Sequence, residues 1–266
     1  MITSTANNRI KLVRRLQTLR REREEQRRFV IEGVRLVEEA FRAGCRPELV
    51  LYTSEVEARE QAILERWARC GVALESVTPA VMAAASSTQT PAGILAVVPF
   101  NEIAIPQPLT LAVVLDGVSE PGNAGAILRV ADAANVQVVY LTPGTVDAYN
   151  PKVVRAAMGA HFHVPLREVD WPTLATQLAG LEVLLAETHG GEVYDEVDWR
   201  VPCALIIGSE AEGPSATARA LAKRRVHIPM PGRAESLNVA VATGILLFAA
   251  VRQRQAGVAK LGADSV

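Results

Sequence analysis

Three glycine-bearing stretches carry polar side chains able to do chemistry, and each follows an apolar run of strand character. The last of them, IPMPGRAESLNV at 228–239, leaves a strand through two prolines and turns at Gly232. It then offers Glu235, Ser236 and Asn238 before a helix that is apolar nearly all round. Polar groups crowded at the mouth of a buried helix are costly unless they have partners. A bound ligand is one partner; a plain helix cap at Ser236 is the other reading. The first stretch, NAGAILR at 123–129, lets a ligand approach the backbone at Gly122 and Gly125. Asn123 there suits a helix cap, and Arg129 lies about one turn further in. A turn, a cap and an exposed arginine would read the same way, and the G-x-G-x-x-G spacing of dinucleotide sites is absent. The middle stretch, GSEAEGP at 208–214, brackets Glu210 between Gly208 and Gly213 at a strand end. That suits a ribose, a cationic ligand or an ordinary strand-to-helix turn. Together these side chains can orient a polar substrate and steady developing charge. No His, Asp or Lys stands among them as a simple general base.

The elements that must position these groups follow from hydrophobic pattern. The segment 1–99 alternates helix and strand. A basic helix covers about 7–26, strands 28–32, 48–52, 72–77 and 93–98, and helices 34–43, 55–70 and a short one from Pro79. This predicts a small α/β/α unit, a sheet with helices on both faces. Pro99, Pro106 and Pro108 mark 100–108 as a linker. From 109 to 266 the alternation resumes in more apolar form. Strands are expected at 111–115, 136–142, 162–166, 181–186, 203–208 and 226–228, with a long final helix. Near-continuous Val, Ile and Leu predict a parallel sheet covered on both faces, whose ligands bind beyond the carboxyl ends of the strands. All three stretches lie at such ends. Thr188 ends another strand near the same crevice. The loop His189-Gly190-Gly191 that follows is a candidate cover, and His161, His163 and His227 read as structural.

Composition narrows the classes. With 49% hydrophobic and 21% charged residues in 266, the chain fits soluble globular domains and not disorder. Its longest apolar stretch, 239–251, falls short of the ~18–20 residues of a membrane span, and the N-terminus shows no apolar signal core. Cys45, Cys70 and Cys203 lack metal-ligand spacing and read as free thiols of a reducing cytoplasm. No metal is expected. The net charge of −1 hides an asymmetry: residues 1–28 hold nine Lys or Arg against three Glu, which leaves the remainder at −7. Ile10, Val13, Leu16 and Leu19 form an apolar face, so Arg14, Arg15, Arg20 and Arg21 lie opposite it, free for RNA phosphate or paired internally on a solvated helix.

The three motifs in this order resemble those of the SpoU/TrmH family in the SPOUT class of RNA methyltransferases. The phrases FVIEG at 29–33 and PAGILAVV at 91–98 extend the likeness to that family's substrate-binding domain, of ribosomal-protein type. The resemblance implies a catalytic domain with a deep trefoil knot and a homodimer with sites at the subunit interface. It implies methyl transfer from S-adenosylmethionine to a ribose 2′-hydroxyl of structured RNA. Large-subunit ribosomal RNA is favoured over transfer RNA, with antibiotic self-resistance a variant of the same activity. It assigns Asn123, Arg129, Glu210, Ser236 and Asn238 to catalysis. Gly208, Gly213, Ile228, Met230 and Leu237, with Thr188, fall to the cofactor. Arg129 acts either as the base or, since guanidinium normally stays charged, as a clamp on the target phosphate. Two other classes stay open on residues alone: a non-catalytic RNA-binding ribosome factor and a nucleotide-dependent oxidoreductase.

Overall fold

The computed structural model describes residues 1–263, with side-chain surroundings through Ala256; the last three residues of the expected 109–266 domain lie outside it. Two compact units are present, Met1–Glu102 with Asp147–His163, and Ile103–Val146 with Val164 onward.

The first unit runs α1 (Asn8–Thr18), α2 (Arg20–Gln26), β1 (Arg28–Glu32), α3 (Val34–Arg42), β2 (Leu49–Thr53), α4 (Ala58–Arg69), β3 (Ala73–Val77), α5 (Pro79–Ala85) and β4 (Ile94–Pro99). Its sheet has the order β1-β4-β2-β3, with β4 antiparallel to both neighbours and β2 parallel to β3. Period-two alternation sends successive β4 residues to opposite faces. Leu95 and Val97 join Ile10, Val13 and Leu16 of α1 and Val81 and Met82 of α5. Ile94, Ala96 and Val98 join Leu36 and Val37 of α3 and Ile63, Leu64 and Trp67 of α4. Helices therefore cover both faces, as the pattern predicts.

The expected continuous basic helix is broken at Leu19, which adopts extended backbone. The break turns Arg23 inward: its side chain is buried, paired with Asp147, and its Nη1 donates to the Leu16 carbonyl at 2.6 Å. A buried charge needs such partners, and the guanidinium also satisfies a carbonyl orphaned at the end of α1. The strand expected at 162–166 is replaced by a 3₁₀ turn, Ala160–Phe162, with the strand starting later. Met158 and Gly159 both take positive φ there and reverse the chain. His161 and His163 thus do not alternate on a strand. His161 is buried, with Nε2 2.7 Å from the Ala148 carbonyl, whereas His163 is exposed beside Glu39. Burial pushes the His161 pKa down to about 4.

The second unit contains β5 (Leu111–Asp116), α6 (Pro121–Ala133), β6 (Val138–Leu141), β7 (Leu166–Glu168), α8 (Trp171–Gln177), β8 (Glu182–Ala186), β9 (Glu192–Val193), β10 (Cys203–Gly208), α9 (Ala216–Leu221), β11 (Arg224–His227) and α10 (Val239–Ala263). Helix α7 (Pro151–Ala157) belongs to the first unit. The seven strands are all parallel, in the order β7-β6-β5-β10-β8-β11-β9. One face packs Val114, Tyr140, Leu185 and Ile206 against Leu174 and Leu178 at α8 and Ala218 of α9. Helix α10 lies along α6, where Gly244 comes close to Val130. Past its middle, Gln253 and Arg254 bond the backbone of Val197, Trp199 and Thr110. The sequence order reverses between β5 and β10, which makes a crevice at their carboxyl ends.

Candidate active site

The register sets β5 and β10 flush, with Gly208 opposite Asp116, so the loops after the two strands start side by side. Buried Asp116 ties them together: its Oδ2 accepts the Ser215 N–H at 2.6 Å. Gly208 has no alternative here, since a Cβ on it would lie 2.5 Å from the Pro214 nitrogen, a backbone atom that cannot yield. Gly213 closes the loop with φ of +69° and donates its N–H to the Ser209 carbonyl.

Three of the residues singled out in sequence meet in one hydrogen-bonded chain. Asn123 Nδ2 donates to Glu210 Oε1 at 2.9 Å, and Asn238 Nδ2 donates to Asn123 Oδ1 at 2.8 Å. Asn238 Oδ1 then accepts from the N–H groups of Ala240 and Val241, so it caps α10. Asn123 is not the cap of α6; Glu120 is, accepting from Gly122. Each amide has one orientation that satisfies both neighbours, and the chain locks the three loops to one another across 115 residues of sequence.

Behind this chain lies a cavity of about 580 Å³, within the roughly 300–1,000 Å³ range of small-molecule sites. Its floor includes Ala186, Ile207, Val226 and Leu246. Thr188, Gly208 and Gly213 contribute to one wall, and Ile228, Met230 and Leu237 to another. Ser236 also lines it, and its hydroxyl makes no hydrogen bond to a described residue, so it does not serve as a cap. His227 lines the cavity with its Nδ1 buried and unpaired, an orphan that a ligand donor or acceptor would satisfy. An apolar floor, backbone edges and a few polar groups fit an S-adenosyl group.

Arg129 is not brought into this cavity. It is exposed on α6 with no side-chain partner among the described residues, six positions past Asn123. At about 100° per residue that turns it well off the Asn123 side of the helix. His189 likewise does not line the cavity. The residues that sequence reasoning missed are Asp116 and Glu187. A charged residue closing an apolar strand is the signal that marks both. In the first unit, Arg15, Arg20 and Arg21 pair with Glu22, Glu24 and Glu25, whereas the exposed Arg14 side chain has no partner among the described residues. Exposed pairs of this kind contribute roughly 0–1 kcal/mol and open readily.

The fold and the three-loop site define an RNA-modifying methyltransferase class, and comparison with known proteins bears this out. The sequence model of the SpoU rRNA methylase family matches residues 110–248, and that of the MRM3-like substrate-binding domain matches residues 7–96. The chain belongs to the SpoU methylase family. It is 35% identical, over 93% of its length and 97% of the relative's, to the 23S rRNA (guanosine(2553)-2′-O)-methyltransferase RlmP of Bacillus subtilis. A crystal structure described as an RNA 2′-O ribose methyltransferase superposes with a TM-score of 0.82 at 37% identity, covering 96% of this chain and 99% of that one. The AdoMet-bound rRNA methyltransferase of Sinorhizobium meliloti superposes at 0.83 with 29% identity, covering 94% and 97%.

Proposed function

We propose that this protein transfers the methyl group of S-adenosylmethionine to a ribose 2′-hydroxyl of large-subunit ribosomal RNA, acting in the cytoplasm as a homodimer. One observation carries the reading: the Glu210–Asn123–Asn238 chain lines a cavity shared with Gly208 and Gly213 at the switch point of a parallel sheet. The near full-length likeness to a 23S ribosomal RNA 2′-O-methyltransferase supports the choice of RNA.

Bound S-adenosylmethionine supplies a methyl group activated by the sulfonium. The protein's work is binding and orientation. The backbone at Gly208, Ile228 and Leu237 holds the cofactor between the loops after β10 and β11. The amide chain fixes those loops before substrate arrives, so little reorganisation is left for the reaction. Ser236, whose hydroxyl bonds no described residue, meets the target nucleotide. Arg129 clamps its phosphate and steadies charge developing on the ribose oxygen, a role for the planar, charged fork of a guanidinium.

Because Arg129 does not line the cavity of its own chain, it acts from the second copy. Val241 and Phe248, one heptad apart on α10, are 52% and 48% exposed, an apolar stripe that a second copy would cover. The trefoil knot belongs to the same proposal, since the segment leading into α10 is the one that the resemblance threads. The basic face of α1 and α2, with Arg14, Arg15, Arg20 and Arg21, contacts RNA phosphate.

The test is tritium transfer from labelled S-adenosylmethionine to ribosomal RNA, with 2′-O-methyl positions mapped in cells with and without the protein. One 23S position should lose its methyl group. A loss confined to transfer RNA, or no transfer at all, would overturn the proposal.

A further inference from the structure

Glu187 follows the last residue of β8, and its side chain, only 8% exposed, lines the same cavity. Two arginines hold it: Arg219 of α9 on Oε1, and Arg225 of β11 at 3.5 Å from Oε2. Their own side chains are 49% and 59% exposed, while the carboxylate is nearly buried, and Arg219 lines the cavity beside it. The backbone fixes the same point. Glu187 N–H donates to the Val226 carbonyl at 3.0 Å, and the loop after it is pressed onto β11 so closely that a Cβ on Gly191 would meet the Arg225 carbonyl at 2.3 Å. A carboxylate has about four acceptor sites, so the arginines leave acceptor capacity turned toward the cavity.

A carboxylate at the end of one parallel strand, beside a neighbouring strand that ends in glycine, is how α/β sheets hold a nucleoside ribose. Here β8 neighbours β10, which ends at Gly208. Glu210, the carboxylate that spacing alone suggests for this task, is exposed and committed to Asn123. The choice between the cofactor's donors follows from charge. Its ammonium would be repelled by Arg219 and Arg225, whereas neutral hydroxyls donate to the carboxylate at no such cost.

We propose that Glu187, held by Arg219 and Arg225, accepts the ribose 2′- and 3′-hydroxyls of the S-adenosyl group and so selects the ribonucleoside end of the cofactor. This rests on the cofactor reading above. The test is calorimetric titration of S-adenosylhomocysteine and its 2′-deoxy and 3′-deoxy analogues into the wild-type protein, Glu187→Gln and Glu187→Asp. Wild type should bind at least one deoxy analogue about tenfold or more weakly than the parent, the scale of a hydrogen bond to a charged group. Glu187→Gln should bind the parent about tenfold more weakly and discriminate among the three by no more than about twofold. Glu187→Asp keeps the charge that the arginines need but withdraws the oxygens by one methylene. It should lose the same discrimination, and it stands in if the glutamine variant does not fold. Variants that discriminate as wild type does would overturn the assignment alone. A wild-type protein that binds none of the three would overturn the cofactor reading and this inference with it.

Discussion

Replacing Asn123 by Asp keeps the shape of the side chain and reverses one of its two hydrogen bonds. The oxygen facing Asn238 Nδ2 at 2.8 Å still accepts, but the group facing Glu210 at 2.9 Å turns from donor to acceptor. The lost bond to a charged partner is worth about 1.5–3 kcal/mol when buried. Glu210 is exposed, so about 1 kcal/mol is the proper figure. Two carboxylates at that spacing add a repulsion of about 1–2 kcal/mol once solvent screening is allowed for. The sum, about 2–3 kcal/mol, predicts roughly 30- to 150-fold weaker binding of S-adenosylhomocysteine at pH 7.5, because the loops on either side of the cavity are no longer held in register. Near pH 5 the two carboxylates can share a proton, and much of the loss should return. Glu210→Gln alone leaves an acceptor for Asn123 and should cost only a few-fold. The double variant Asn123→Asp, Glu210→Gln restores a donor facing an acceptor with their places exchanged, and should bind about as well as Glu210→Gln. Calorimetry on the four proteins at two pH values tests this. If the double variant binds no better than Asn123→Asp, the amide chain does not order the site.

Arg129→Ala should abolish methyl transfer while leaving cofactor affinity within a few-fold, because Arg129 lies outside the cavity; near-normal turnover would refute its role. Changing Arg14, Arg15, Arg20 and Arg21 to Ala should weaken RNA binding and lower the slope of log K against log salt by about two to three, whereas an unchanged slope would leave their ion pairs as a solvated helix surface. Val241→Glu with Phe248→Glu should turn dimer into monomer in sedimentation, with dimer affinity reduced roughly tenfold or more; an unaltered dimer would move the interface elsewhere. His161 titrates near 6.5 in the unfolded chain but at about 4 when folded. Between those values the unfolded state binds the proton and the native state does not, so stability is lost as the pH drops from about 6.5 to about 4, by at most about 3 kcal/mol. Denaturant melts of wild type and His161→Gln at pH 7 and pH 4.5 check this, and an equal loss in both would refute it.

Much of the fold was legible because both sheets are built from residues whose periodicity is local. The continuous apolar runs of β4 and β5, buried almost throughout, announce two covered faces without reference to anything distant. The elements misread are those where a distant partner decides. Nothing near Leu19 in sequence says that Arg23 turns inward, because the reason is Asp147, 124 residues away. Likewise 160–163 carries strand-like alternation, but Met158 and Gly159 reverse the chain and bury His161 against Ala148.

The site divides along the same line. Asn123, Glu210 and Asn238 were identifiable by type and spacing, yet their partnership was not, because the two bonds that join them to one another span 87 and 115 residues. Ser236 and Asn238 illustrate what that changes. Ser236 reads as the helix cap, and only geometry shows that Asn238 takes that place, with its whole amide spent on Asn123 and the first turn of α10. Ser236 is left with a hydroxyl at the cavity that bonds no described residue. Glu187 is the converse case: an ordinary residue beside a singled-out threonine, given meaning only when β8, β10 and β11 become neighbours. Residues that bond one another are then expected to answer to mutation as a unit. Residues without side-chain partners among the described residues, Ser236 and Arg129, are expected to affect turnover without affecting the fold.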